Sequence, residues 1–181
     1  MFTQTIQEPG VKQTPVLRRA SLWAAAFALT IAGAFVAPPS TAQDAVLGKQ
    51  VWLTRVNCRD CHGWAAHGVQ DDPQAPKGPN LRISLLSPEE IATTILCGRP
   101  ATEMPYFSRF SYTDDRCYGL TAADLGNNMP PLGQASLSNR AVNALVALIQ
   151  SFQEKSEQPT YQECLEFWGE GATLCERYRG D

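Results

Sequence analysis

Histidine and methionine are scarce in this chain. Two histidines and three methionines occur in 181 residues, so a site built from many imidazoles is excluded. The histidines are His62 and His67, and no second C-x-x-C pair accompanies the one at Cys58 and Cys61. A structural zinc site needs a second ligand cluster at matching spacing, and the sequence has none. A basic excess is also absent: 15 Lys and Arg stand against 18 Asp and Glu. That balance argues against nucleic acid or an anionic membrane surface as a partner. No convincing strand alternation and no internal repeat appear, which leaves helices and loops. Long hydrophobic runs are nearly absent as well.

The exception is the run Ser21 to Ala37 (SLWAAAFALTIAGAFVA), preceded by Lys12, Arg18 and Arg19. Pro38 and Pro39 break it, and Ser40-Thr41-Ala42 supplies small residues at a cleavage site. Residues 1–42 therefore read as a secretory signal peptide. The run is at the short end for a spanning helix, so an N-terminal membrane anchor is the alternative. Cleavage takes Lys12, Arg18, Arg19 and Glu8 away, leaving 12 basic and 17 acidic residues and a formal charge of −5. The expected location is the periplasm, with no stable membrane insertion after cleavage. Export also permits disulfides.

Residues 58–62 read Cys58-Arg59-Asp60-Cys61-His62. Two thiols three positions apart can each add to a vinyl group of one haem, and the adjacent His62 then lies under the iron. C-x-x-C-H is the attachment pattern for a c-type haem. A thioredoxin-like pair would need a strand before the motif. Here an amphipathic helical stretch, about 45–58, precedes it.

These residues resemble class I c-type cytochromes. Gly48, Trp52 and Cys58-x-x-Cys61-His62-Gly63 are similar to that family's first helix and haem turn. Lys77-Gly78-Pro79-Asn80-Leu81 resembles its proximal loop. The resemblance implies that the Pro79 carbonyl accepts a hydrogen bond from the free nitrogen of His62 and orients it, which tunes the iron. It also implies an all-α, cytochrome c-like fold: a few short helices around one covalently bound haem c, with long loops.

The sixth iron ligand is sought among the methionines, because His–Met ligation marks electron-transfer cytochromes. Met104 and Met129 remain once Met1 is lost, and each precedes a proline. Met104 follows a well-marked helix: Ser87 caps it, Pro88 and Glu90 complete the first turn, Ile91, Ile95 and Leu96 give the apolar face, and Gly98 ends it. Gly98-Arg99-Pro100, then Thr102-Glu103-Met104-Pro105 and an aromatic, resembles the family's distal loop. Met104 is the expected ligand and Met129 the alternative. His67 follows the haem turn too closely to reach the opposite face and is expected to be a solvated loop residue.

A last core helix is expected over about 138–153, with Val142, Leu145, Val146, Ile149 and Phe152 on one face. The family's usual aromatic there is Leu148 in this chain. The cytochrome domain thus spans 43–153, with an insertion at about 108–136 and a C-terminal extension at 154–181. Four cysteines remain outside the motif and allow three pairings. The sequence-local one, Cys97–Cys117 and Cys164–Cys175, is chosen. Tyr106, Phe107, Phe110, Tyr112 and Trp168 form either a docking surface or, the favoured reading, a satellite core.

The implied role is a mono-haem carrier passing single electrons from a dehydrogenase to a respiratory acceptor. The distal loop resembles cytochromes serving alcohol oxidation, which points to a quinoprotein alcohol dehydrogenase as donor and a terminal oxidase as acceptor. The alternatives are a haem enzyme or gas-binding protein with an open sixth position, and a cytochrome subunit of a larger oxidoreductase complex.

Overall fold

The computed structural model describes residues 40–180. The expected signal peptide lies outside them, except for Ser40, Thr41 and Ala42, which open the first helix. The described residues lie within one compact unit, 37–181. Helix α1 spans Ser40–Gln50 and runs into a π-helical turn, Val51–Arg55. Helices α2 (Cys58–His62), α3 (Pro88–Cys97), α4 (Ala122–Leu125), α5 (Asn139–Gln153) and α6 (Tyr161–Trp168) follow. Among the described residues no β-strand forms, and the fold is the all-α, cytochrome c-like one. Residues 63–87 and 98–121 are loops of turns and bends.

The sequence pattern predicts a first helix unbroken to about residue 58. Instead the helix widens at Val51–Arg55 and stops before Asn57, which has φ +51°. Widened π turns commonly mark functional sites, and asparagine tolerates the left-handed conformation better than most residues. The widened turn buries Val51 and Trp52, and the break at Asn57 restarts the chain as α2.

Capping chemistry places the other helices. Ser87 and Glu90 form a reciprocal capping box at α3, as do Thr121 with Asp124 at α4 and Thr160 with Glu163 at α6. Ser138 caps α5. The face of α5 is buried as its periodicity requires: Val142, Leu145, Val146, Ile149 and Phe152 are all in the core.

Helices α1 and α5 cross at Gly48. A Cβ there would lie 2.4 Å from the Ala144 carbonyl oxygen and 3.3 Å from the Leu148 Cβ. Leu148 thus stands at this crossing. Gly48→Ala gains about 1 kcal/mol of helix propensity. It also drives a methyl into backbone that cannot yield, and overpacking of this kind costs about 1–3 kcal/mol. Urea unfolding is expected to show a net loss of about 2 kcal/mol, since full overpacking outweighs propensity.

Two cores form. The larger joins Trp52, Ile91, Ile95, Phe107 and the α5 face to Cys164, Leu165 and Cys175 of the extension. The smaller contains Cys97, Tyr112, Cys117 and Leu125, with Tyr106 and Met129 against it. Cys97 is bonded to Cys117, and Cys164 to Cys175. The aromatics of the insertion are therefore divided. Tyr112 packs in the satellite core and Phe107, at the edge of the insertion, in the main one, while Phe110 and Tyr118 are half-exposed.

The extension does not stand apart as a separately stapled tail. Phe167, Trp168 and Tyr178 surround the Trp64 ring, at centroid distances of 5.0, 6.4 and 6.0 Å. Trp64 Nε1 donates to the Tyr178 hydroxyl at 3.0 Å. Lys49 Nζ donates to the Phe167 carbonyl and lies 4.4 Å from the centre of its ring.

Candidate cofactor site

The site is assembled around α2. Its five residues carry both thiols and the imidazole. Gly63, at φ +78°, turns the chain sharply after His62, and a Cβ there would meet the Val69 carbonyl oxygen at 2.3 Å. The returning loop is pinned to α2 by Gly68 N–H to His62 O (2.8 Å) and Gly78 N–H to Cys61 O (2.9 Å).

His62 is 7% exposed. Its Nδ1 lies 3.0 Å from the Pro79 carbonyl oxygen. A carbonyl only accepts, so Nδ1 carries the proton and Nε2 keeps a free lone pair. Burial pushes the His62 pKa down. The bond to Pro79 opposes this, and the Arg99 charge adds to the lowering. A neutral imidazole with a free nitrogen is the form that binds a metal. Gly78 packs flat against this ring, where a Cβ would sit 2.6 Å from Nδ1.

Cys58 and Cys61 are unpaired. Desolvation pushes the Cys58 thiol up to about 12, with the charges of Cys61 and Asp60 adding to it. Burial, Asp60 and Asp72 also raise Cys61. Redox-active dithiols have lowered thiol pKa values. Both thiols here are shifted the other way, which weighs against a thioredoxin-like role.

A cleft of about 300 Å³ opens beside α2. Cys58, Cys61 and His62 line one side, and Met104 and Phe107 also line it, with Leu145 and Ile149 of α5. Trp52 lines it too, and its buried Nε1 has no hydrogen-bond partner among the described residues. Met104 is carried on a tight loop. Its N–H donates to Thr102 Oγ1 at 3.1 Å, and its carbonyl accepts from Arg99 N–H at 3.2 Å. Gly98, at φ +64°, lies so close that a Cβ would meet the Met104 oxygen at 2.6 Å. Met129 is absent from the cleft lining and packs against the Cys97–Cys117 cluster.

His67 is buried (7% exposed), not solvated as expected, and does not line the cleft. Burial, helped by the charges of Arg82 and Arg177, pushes its pKa down to about 4. It packs beside Trp64 beneath the C-terminal extension. Sequence reasoning also passes over Arg82, whose side chain is fully buried. No local pattern marks it, because its partners lie in distant parts of the chain.

The donor set fits a haem c. Two thiols suit the vinyl groups, a neutral imidazole and a thioether suit the iron, and an apolar cleft suits the macrocycle. Among the described residues no group of three or more His, Cys, Asp or Glu is arranged to hold a metal ion. A cofactor carrying its own nitrogen donors needs no such group.

Fold and site together define a c-type cytochrome domain, with haem c as the cofactor such a domain binds covalently. Residues 43–122 match the family model described as Cytochrome C oxidase, cbb3-type, subunit III, and this match supports the same class. The matched stretch contains Cys58, Cys61, His62, Pro79 and Met104. It ends before Met129, α5 and the extension. No curated protein and no solved structure matches the chain.

Proposed function

We propose that this chain is an exported, single-haem electron carrier. One haem would be anchored through Cys58 and Cys61 and ligated by His62 and Met104. Cleavage after residue 42 would release it into the periplasm. The observation that carries the reading is the shared cleft: two unpaired thiols, a neutral imidazole and a methionine line one apolar space. Bound haem supplies a one-electron ferrous/ferric couple. The chain's own residues do the rest. The Pro79 carbonyl holds the His62 proton on Nδ1 and so leaves Nε2 free to hold the iron of a bound haem. The Gly98–Tyr106 loop presents the Met104 sulfur. Leu145, Ile149 and Phe107 keep water from the cleft. Two ligands that stay in place mean little reorganisation on electron transfer.

The donor is read as a dehydrogenase, of the quinoprotein alcohol type, and the acceptor as a respiratory oxidase. A second reading has support of its own. The matched family model is described as an oxidase subunit, which favours an electron-transfer subunit of a larger complex. Co-purification of the full chain with an oxidase or dehydrogenase separates the two.

The test uses matured protein. A pyridine haemochrome spectrum is expected to show one haem per chain that acid acetone does not extract. A redox titration should follow a single one-electron curve, and the ferrous form should not bind carbon monoxide. Colourless protein, or an extractable pigment, overturns the proposal. Carbon monoxide binding at full occupancy would favour an open sixth position and an enzyme or gas-binding role.

A further inference from the structure

The loop carrying Pro79 is gripped by the C-terminal extension. Pro79 has no N–H with which to fix itself. Its flanks are tied to the domain by Gly78 N–H to Cys61 O and Leu81 N–H to Ala66 O, each 2.8–2.9 Å. Further ties come from residues 154–181, beside those of Gln153 Nε2 of α5 to the Ser84 and Leu86 carbonyls. Asn80 Nδ2 donates to Glu157 O at 3.2 Å. Arg82 Nε donates to Ser156 O, and its terminal nitrogen meets both Glu163 oxygens, at 2.8 and 3.2 Å. Asn80 Oδ1 accepts from Arg82 N–H at 2.9 Å, so the two residues move together. Arg82 also reaches the Ala65 carbonyl, three residues after His62, at 3.3 Å. One buried guanidinium thus links both segments of the haem turn to the extension.

We infer that the extension is a positioning clamp. Through Arg82, Glu163 and Asn80 it holds the Pro79 carbonyl against His62 Nδ1 and thereby sets the reduction potential. The inference rests on the haem reading above. Arg82 and Glu163 are positioning residues, since neither lines the cleft. The direction follows from ligand chemistry. A firm Nδ1–H···O bond makes the imidazole a stronger donor and favours ferric iron. Slackening the clamp lengthens that bond and favours ferrous iron, so the potential rises.

The test compares holo wild type with Arg82→Met, Glu163→Gln and Asn80→Ser. The readouts are the redox titration and the solvent exchange of the His62 ring N–H, followed by proton NMR in the ferrous state. A haemochrome spectrum first establishes one covalent haem in each protein. The expected result for Arg82→Met is a shift of about tenfold toward ferrous, which is about 59 mV for one electron, with ring N–H exchange at least tenfold faster. Glu163→Gln and Asn80→Ser should shift both in the same direction by smaller factors, and they decide the matter if Arg82→Met does not fold. Ser138→Ala removes the α5 cap and lowers stability. It should move neither readout. Variants that keep their haem but leave potential and exchange within twofold of wild type overturn the clamp while leaving the electron-carrier reading intact. Wild type without covalent haem overturns both.

Discussion

Met104→Ala is expected to abolish the far-red absorption band of a methionine–ferric-haem bond, while Met129→Ala leaves it in place. The positions of the two side chains underlie the contrast. Met104 lines the cleft that also holds His62, and Met129 packs with Tyr112, Leu125 and the Cys97–Cys117 bridge instead. Loss of a thioether ligand removes preferential stabilisation of ferrous iron. The potential of Met104→Ala should fall on the order of 0.2 V, within the roughly 0.8 V that axial ligands command. The vacated position should also admit carbon monoxide. Met129→Ala should retain the band and the potential and lose only some stability through the satellite core. If Met129→Ala alone erased the band, Met129 would be the ligand and the distal loop would have to rearrange on haem binding.

Why Met104 is readable in the sequence and other residues are not follows from the distances over which signals act. The capping boxes at Ser87 and Thr160 each join residues three positions apart, and the α5 face repeats within one helix. Local chemistry of this kind is written contiguously. The haem turn is equally local, because two thiols and an imidazole must reach one small molecule. The π turn at Val51–Arg55 is different. It is shaped by burying Val51 and Trp52 in the core, and an ordinary helical pattern covers the same residues. His67 reads as solvated because it lies in a loop, 63–82, rich in glycine, proline and aspartate. It lies beside Trp64, whose ring is covered by an extension that sequence separation hides: Tyr178, which accepts from Trp64 Nε1, is 114 positions on. Arg82 shows the same limit. Its partners Ser156 and Glu163 are 74 and 81 positions off, and a lone arginine after Asn-Leu carries no periodic mark. Local rules thus suffice for α3, α5, α6 and the haem motif. The merging of the extension with the main core comes from tertiary contacts alone.

Arg82→Met is also expected to destabilise the fold strongly, by about 3–5 kcal/mol at neutral pH, the cost of breaking a buried ion pair. The Arg82 side chain is 0% exposed and the Glu163 side chain 14%. Removing the guanidinium leaves a largely buried carboxylate held by the Thr160 N–H at 2.9 Å and by Lys155 at 3.5 Å, which is 37% exposed. The Ser156 and Ala65 carbonyls lose their donor as well. The pH dependence has a definite sign. Burial pushes the Glu163 carboxyl up, but hydrogen bonds from Arg82 and the Thr160 N–H, with the charges of Arg82 and Lys155, outweigh it and hold the group below its ordinary value. A carboxyl whose folded pKa is depressed adds stability that is fully present above the unfolded value, about 4.3. That stability is lost as pH falls through the folded pKa. The gap between wild type and Arg82→Met should therefore narrow as acid protonates Glu163, beginning above the unfolded value of about 4.3, because burial no longer opposed by Arg82 raises the carboxyl in the variant. Replacing both partners, as Arg82→Met with Glu163→Met, should recover part of the loss, because no buried charge is then left unpaired. Urea unfolding followed by circular dichroism at pH 7 and in acid measures each quantity. A gap that stayed constant with pH would mean that packing of the arginine stem, and not the ion pair, joins the extension to the haem turn.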